Sequence, residues 1–218
     1  MQLYFSPLAC SLSSRIALYE AGADATYVEV DPKTKLIRDG NDFREDYRGV
    51  HPLGLVPLVR TDDGELLTEN AAILQYIAAC YPDAKLAPEN GLGRARLHQW
   101  LCFIGTELHK ALFVPTMDAK APPEVKAYAL QRETSRLTYV DAHLRDREFL
   151  LDHFSVADAY LFAILNWTAV APIDLAKYPA LGAFMARMRK RPMVAKAFTE
   201  ERALYMEEVA RHAAATKA

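Results

Sequence analysis

Apolar and polar positions change their spacing along the chain, and those changes divide it. Leu3-Tyr4-Phe5 is a short apolar run that stops at Ser6-Pro7, which predicts a strand followed by a loop. From about Ser11 to Ala21 the spacing is helical, with Leu12, Ile16 and Tyr19 on one side and Gly22 as the stop. Thr26-Tyr27-Val28-Glu29-Val30 alternates and is β-branched, which predicts a second strand. A strand–helix–strand unit this short makes the two strands parallel neighbours. Pro32 to Pro52 is polar and charged, and reads as loop with at most one irregular helix. Leu58-Val59-Arg60-Thr61 and Glu65-Leu66-Leu67 predict a hairpin turning at Asp63-Gly64. Asn70 then reads as the N-cap of a helix carrying Ile73, Leu74, Tyr76 and Ile77.

Tyr81 to Gly91 mixes Pro, Asp, Asn and Gly and has the character of a linker. Beyond it no strand pattern appears. Gly93 to about Met117, Pro123 to Asp146, Val156 to Val170 and Leu181 to Arg191 all have helical spacing, and Pro192 ends the last of them. The predicted fold is therefore α/β plus all-α. Residues 1–81 form a thioredoxin-like domain with a four-stranded mixed sheet, 82–91 a linker, 92–212 a helical bundle, and 213–218 a flexible tail.

Composition narrows the function classes. A chain of 218 residues, 51% hydrophobic and 25% charged, has enough apolar material for one large core or two small ones. Its formal net charge is −2 with no basic block, so nothing in it attracts nucleic acid. Met1 to Phe5 lacks a basic n-region and Pro7 interrupts the apolar run, which argues against a signal peptide. Val156 to Ile173 is the most apolar segment, but Asp158, Asn166 and Pro172 make it a buried core helix and not a membrane span. Cys10, Cys80 and Cys102 form no CxxC pair. That usage fits a reducing cytoplasm and argues against a disulfide scaffold or a zinc site.

Five strings in order carry a resemblance. They are Tyr4-Phe5-Ser6-Pro7-Leu8-Ala9-Cys10-Ser11-Leu12-Ser13, Pro52-Leu53-Gly54-Leu55-Val56-Pro57, Leu67-Thr68-Glu69-Asn70-Ala71-Ala72-Ile73, Thr106-Glu107-Leu108-His109-Lys110 and Ser155-Val156-Ala157-Asp158-Ala159-Tyr160. Together they make the chain similar to the glutathione transferase family, in its bacterial beta class. The resemblance runs over essentially the whole chain. It implies an enzyme that binds glutathione as co-substrate, without a metal, and conjugates it to a small hydrophobic electrophile. It also implies a homodimer.

Cys10 is the leading candidate for chemistry. It falls between a strand and a helix N-terminus, where unpaired N–H groups and the macrodipole favour an anion, so its thiol is expected to have a lowered pKa. The resemblance places it beside the glutathione sulfur, able to form a mixed disulfide. No second cysteine follows in Ser11-Leu12-Ser13, which excludes dithiol exchange within the chain. Ser11 is a lesser candidate to hydrogen-bond a thiolate, or else a helix cap.

The remaining assignments come from the resemblance, each beside a plainer reading. At Leu55, Val56 and Pro57 it implies a cis-proline whose preceding backbone binds the cysteinyl part of glutathione as an added strand; a trans proline at a strand start is the plain alternative. Glu69 would take the α-amino group of the γ-glutamyl end, and Asn70 its carboxylate, although the family usually has Ser or Asp at that cap. Lys35 would reach the glycine carboxylate, with Lys33 close enough to compete.

On the long helix, Leu97, Leu101, Ile104 and Leu108 make a core stripe, while Cys102, Thr106, His109 and Phe113 follow the same spacing on another face suited to a cleft wall. The resemblance gives His109 a role in stabilising the thiolate or moving a proton, since histidine titrates near neutrality. It lets Glu107, from the partner subunit, and Lys110 reach glutathione; an exposed i, i+3 ion pair explains them equally. Cys102 stands where the class tends to have Asn. Tyr4, Phe113 and Trp167 are candidate acceptor-wall or core rings. Ser155 and Asp158 form a capping box with a folding role only.

Two other functions fit the same residues. One is thiol–disulfide reductase, peroxidase or dehalogenase chemistry through a Cys10 mixed disulfide. The other is a binding protein for glutathione or hydrophobic ligands with little turnover.

Overall fold

The computed structural model describes residues 1–215. Packing divides them into two units: Met1–Ala84 together with the C-terminal helix, and Lys85–Arg191. The first unit is built on β1 (Gln2–Phe5), α1 (Leu12–Glu20), β2 (Thr26–Glu29), β3 (Leu36–Asp39), β4 (Asp42–Asp46), β5 (Leu58–Arg60), β6 (Leu66–Leu67) and α2 (Asn70–Cys80). Strand order in the main sheet is β2-β1-β5-β6, with β1 parallel to β2 and antiparallel to β5. Leu3 sits opposite both Tyr27 and Val59 in register. Because side chains alternate along a strand, Tyr4 points to the face opposite Leu3 and Phe5 to the same face as Leu3. Tyr4 packs there with Val30, Leu58 and the fully buried Tyr47, whose ring stacks on its own. This is the thioredoxin-like arrangement with the expected four-stranded mixed sheet.

The polar stretch from Pro32 to Pro52 is not loop. It holds a second sheet, the β3–β4 hairpin, and then a short 3-10 turn at Tyr47–Gly49. The hairpin turns at Gly40, whose φ of 59° lies in the left-handed region that glycine adopts without penalty. β4 is charged and largely exposed and β3 only half-buried, with Ile37 against the core, so the pair lacks the apolar alternation by which a strand is recognised.

The second unit contains only helices among the described residues: α3 (Gly91–Phe103), a π-helical segment (Ile104–Phe113), α4 (Val114–Met117), α5 (Pro123–Leu130), α6 (Glu133–Leu144), α7 (Val156–Leu165) and α8 (Pro179–Lys190). The expected stripe of Leu97, Leu101, Ile104 and Leu108 is buried. One helix was expected over Pro123 to Asp146; the chain breaks it at Gln131-Arg132. Helical geometry from Val156 tightens to a 3-10 turn at Asn166–Ala169.

Ser155 and Asp158 form the expected capping box. Asp158 Oδ2 accepts from the backbone N–H and the hydroxyl of Ser155, both at 2.9 Å. Its Oδ1 accepts from Leu150 N–H at 2.8 Å, so this fully buried carboxylate also pins the preceding loop. Burial pushes its pKa up to about 6 against those hydrogen bonds.

Pro192 stops one helix and opens another. α9 (Pro192–Ala215) is the longest helix of the chain, and it packs in the first unit against α1. The helical bundle expected over 92–212 therefore ends at Arg191. The buried positions of α9 are Val194, Ala197, Glu201 and Glu208, so half of its inward face is acidic and its amphipathic pattern is masked. α9 continues through Ala215, into the stretch expected as a tail; residues 216–218 lie outside the described residues.

Candidate functional site

In the first unit the site forms where β1 gives way to α1. Ser6 to Ser11 make a tight loop in which Ala9 N–H donates to Ser6 O at 3.1 Å and Leu12 N–H to Ala9 O at 3.0 Å. Ser11 is fully buried, its hydroxyl bonded to both backbone groups of Ser6, as acceptor at 3.3 Å and as donor at 3.2 Å. It makes no side-chain cap to α1 and has no hydroxyl proton left for a thiolate. Ser11 stands at the N-cap position of α1, as expected, but its hydroxyl closes the loop and does not cap the helix.

Cys10 is 7% exposed and its thiol lies 3.4 Å from the carbonyl oxygen of Val56. The Val56–Pro57 peptide is cis. Tyr47 Oη donates to the Leu55 carbonyl at 2.9 Å and holds this segment from the core side. Cys10, Leu55, Val56 and Pro57, far apart in sequence, thus stand together. Lys35 is half-buried, its side chain packed where a Cβ on Gly54 would stand, while Lys33 is exposed. Burial, and then the nearby Arg48 guanidinium, lowers the Lys35 pKa from its usual value.

Asn70 is not the N-cap of α2. That place falls to Glu69, which is exposed and takes φ 66°, ψ 113°, a strained conformation for a residue with a side chain. The Asn70 amide is buried instead against α1. Its Nδ2 donates to Ser13 Oγ at 2.9 Å, Ser13 Oγ donates to the Cys10 carbonyl at 2.6 Å, and Ser14 Oγ donates to Asn70 Oδ1 at 3.0 Å. The expected contact between this amide and a carboxylate would compete with these bonds. Ser13 links Asn70 to Cys10; it was not singled out from sequence because a serine in a helical run carries no distinguishing signal.

In the second unit His109 lies in the π-helical segment, where Val114 N–H donates to His109 O, five residues back. π-turns are rare and are frequent at functional sites. Along the expected stripe Cys102 and Thr106 are exposed, whereas His109 and Phe113 are buried. The His109 Nδ1 is 2.8 Å from Tyr160 Oη, and Trp167 stands edge-on at 5.1 Å. Burial, with a smaller push from the Lys110 charge, lowers the His109 pKa to about 4. The expectation of a histidine titrating near neutrality is therefore corrected: His109 is neutral at pH 7. Where Tyr160 donates to Nδ1, the neutral ring carries its proton on Nε2, which is then a hydrogen-bond donor. Tyr160 lay in a quoted string, but nothing in its spacing identified it as the partner of His109.

Glu107 does not pair along its own helix. Its Oε2 accepts from Arg136 Nε at 2.9 Å and Nη2 at 2.7 Å, tying the π segment to α6. Lys110 is exposed. Tyr4 and Phe113 are core rings; Trp167 is half-buried. Among the described residues no cluster of His, Cys, Asp or Glu could hold a metal ion, and no helix is long and apolar enough to cross a membrane.

Known proteins share this fold and much of this sequence. The family "Glutathione S-transferase, N-terminal domain" matches residues 9–80, and "Glutathione S-transferase, C-terminal domain" matches residues 105–192. Glutathione S-transferase GstA of Escherichia coli O157:H7 is 41% identical over 203 residues, covering 92% of this chain and 98% of that protein. A solved beta-class glutathione S-transferase of Sphingomonas chungbukensis superposes with a TM-score of 0.85 at 44% identity, covering 92% of this chain and 98% of the other. A sphingomonad glutathione S-transferase complexed with glutathione gives 0.86 at 44% identity over the same shares. The chain belongs to the glutathione S-transferase family, and it is a glutathione transferase.

Proposed function

We propose that the chain binds glutathione along the backbone at Leu55 and Val56, before cis-Pro57, and transfers its sulfur to a small hydrophobic electrophile. In this reading Glu69 and the start of α2 take the γ-glutamyl end, Lys35 the glycine carboxylate, and Cys10 stands beside the glutathione sulfur. The observation that carries it is the 3.4 Å approach of the Cys10 thiol to the Val56 carbonyl, since one small region then offers both a strand-like backbone and a polar partner for sulfur. Lys35 is preferred to Lys33 because it alone lies against the Gly54 turn. Glu107 is read as a brace for α6, and Lys110 as the remaining cation of that segment for glutathione.

The chemistry is thiolate stabilisation and positioning. Glutathione supplies the nucleophile, so Cys10 is not consumed in conjugation. His109, being neutral, serves as a hydrogen-bond donor and not as a cation. We further propose that the protein acts as a homodimer in the cytoplasm, which sedimentation and fractionation would check.

Retention on immobilised glutathione, followed by turnover of a chloronitrobenzene, tests the reading. A protein that passes through the column and shows no conjugation would be neither a transferase nor a glutathione-dependent reductase. A crystal soaked with glutathione decides the place of sulfur. Sulfur lying near Cys10 supports conjugation, and sulfur bonded to it favours mixed-disulfide chemistry.

A further inference from the structure

Glu201, on α9, is fully buried and has no part in the chemistry above. Its Oε2 accepts the Leu8 backbone N–H at 2.8 Å. Leu8 precedes Cys10 in the same loop and has φ 55°, a left-handed conformation that a leucine rarely adopts. The other oxygen, Oε1, lies 3.1 Å from Nε of Arg15, close enough for an ion pair but outside hydrogen-bond geometry. Arg15 is 4% exposed, with its guanidinium 4.1 Å from the Phe5 ring centre and 4.4 Å from that of Tyr27. It stands on α1, the helix that starts just after Cys10. One carboxylate therefore holds both arms of the corner, the loop that enters Cys10 and the helix that leaves it.

Stability alone is a poor reason for such a group. A buried ion pair is often replaced by apolar residues at no loss, whereas removing one partner leaves an uncompensated charge. What apolar residues could not supply is an acceptor for the Leu8 N–H, and hence the left-handed turn at Leu8.

We propose that Glu201 is the positioning residue of the Cys10 corner, holding Leu8 and Arg15 so that the Cys10 thiol stands at the Val56 carbonyl. Only the consequence for glutathione rests on the function proposed above; the placement of Cys10 does not.

Three variants test it: E201Q, which keeps an acceptor for Leu8; E201M, which does not; and R15M/E201M, which replaces the ion pair by apolar side chains. The readouts are the rate of Cys10 alkylation by iodoacetamide, followed by peptide mass spectrometry, kcat and KM for glutathione, and the urea midpoint. E201Q should react within about threefold of the parent, since the neutral acceptor remains. E201M should change Cys10 alkylation, and kcat/KM for glutathione-dependent disulfide reduction, by about tenfold or more, as small displacements of a reacting group do. R15M/E201M should recover the urea midpoint and keep the kinetic defect. Where E201M does not fold, the other two variants decide. The proposal is overturned if the double variant regains parental kinetics with its stability, or if E201Q is as impaired as that variant. It fails equally if E201M leaves Cys10 alkylation unchanged. A parent protein without glutathione turnover would sink the proposed function, while the alkylation rates would still decide the role of Glu201.

Discussion

Around Cys10 the chain is fixed by hydrogen bonds that close on backbone atoms, while His109 is fixed by rings and a single hydroxyl. Ser11 is tied to Ser6, Ser13 to the Cys10 carbonyl, Glu201 to the Leu8 N–H, and the thiol itself to the Val56 carbonyl. His109 has Tyr160 on Nδ1 and the edge of Trp167, within an irregularly wound segment. The first arrangement sets where a group stands. The second sets what the group is, because taking the imidazole out of water keeps it uncharged well below its ordinary pKa.

The largest expected effect separates position from reaction. C10A should abolish glutathione-dependent disulfide reduction, which needs the protein's own sulfur, yet leave most conjugation, whose nucleophile comes from glutathione. Stopped assays of both activities on one preparation check this. A parallel loss of conjugation would show that the Cys10 corner determines chemistry as well as place.

A stability measurement asks whether backbone closure belongs to the first region alone. D158A strands the N–H groups of Leu150 and Ser155 inside the second unit and should lower unfolding free energy by about 3 kcal/mol. A urea titration with an unchanged midpoint would show that the capping box contributes little to folding.

The environment of His109 is tested by H109F and Y160F, each expected to lower kcat by about tenfold through loss of a placed donor or of its tautomer. The folded pKa of His109 lies below its unfolded value. Its contribution to stability is therefore present above pH 6.5 and lost as pH falls toward about 4. H109F should lack that acid limb in a urea midpoint series. A parent whose histidine titrates near 6.5 by nuclear magnetic resonance would overturn the account of a neutral ring.

Glu201 provides the opposite sign. Burial outweighs the nearby Arg15 charge and the Leu8 N–H and pushes its pKa up, with Glu200 and Glu29 adding to the rise. Stability from this group is present below the ordinary carboxylate range and is lost as pH rises from there through the raised value. The urea midpoint of the parent should fall with rising pH above about 4.5 more than that of E201Q. The smallest effect is expected for E107Q. Its ion pair with Arg136 is partly solvated, so the change should stay below about 1 kcal/mol.

Strand–helix–strand order, the capping box and the core stripe of the long helix were legible because each is a local pattern. Leu3 and Phe5 face one side by alternation, Ser155 and Asp158 stand three apart, and Leu97 to Leu108 repeat at helical spacing. The β3–β4 hairpin was hidden because β4 is charged and exposed and β3 too short and only half-buried to alternate, and α9 because Glu201 and Glu208 occupy positions where an apolar pattern would have shown. The π winding was hidden too, since it changes which residues share a face without changing which residues are present.

The sequence by itself determined the family, the two kinds of architecture and the identity of Cys10, His109 and the Val56–Pro57 peptide as the residues to watch. Those depend on order and local spacing, which a chain carries in any conformation. Tertiary structure decided their chemistry. It drew Asn70 and Ser11 into internal hydrogen bonds and brought Glu201 beneath the Cys10 loop. It also buried His109 and lowered its pKa, because solvation and partnership exist only once distant segments meet.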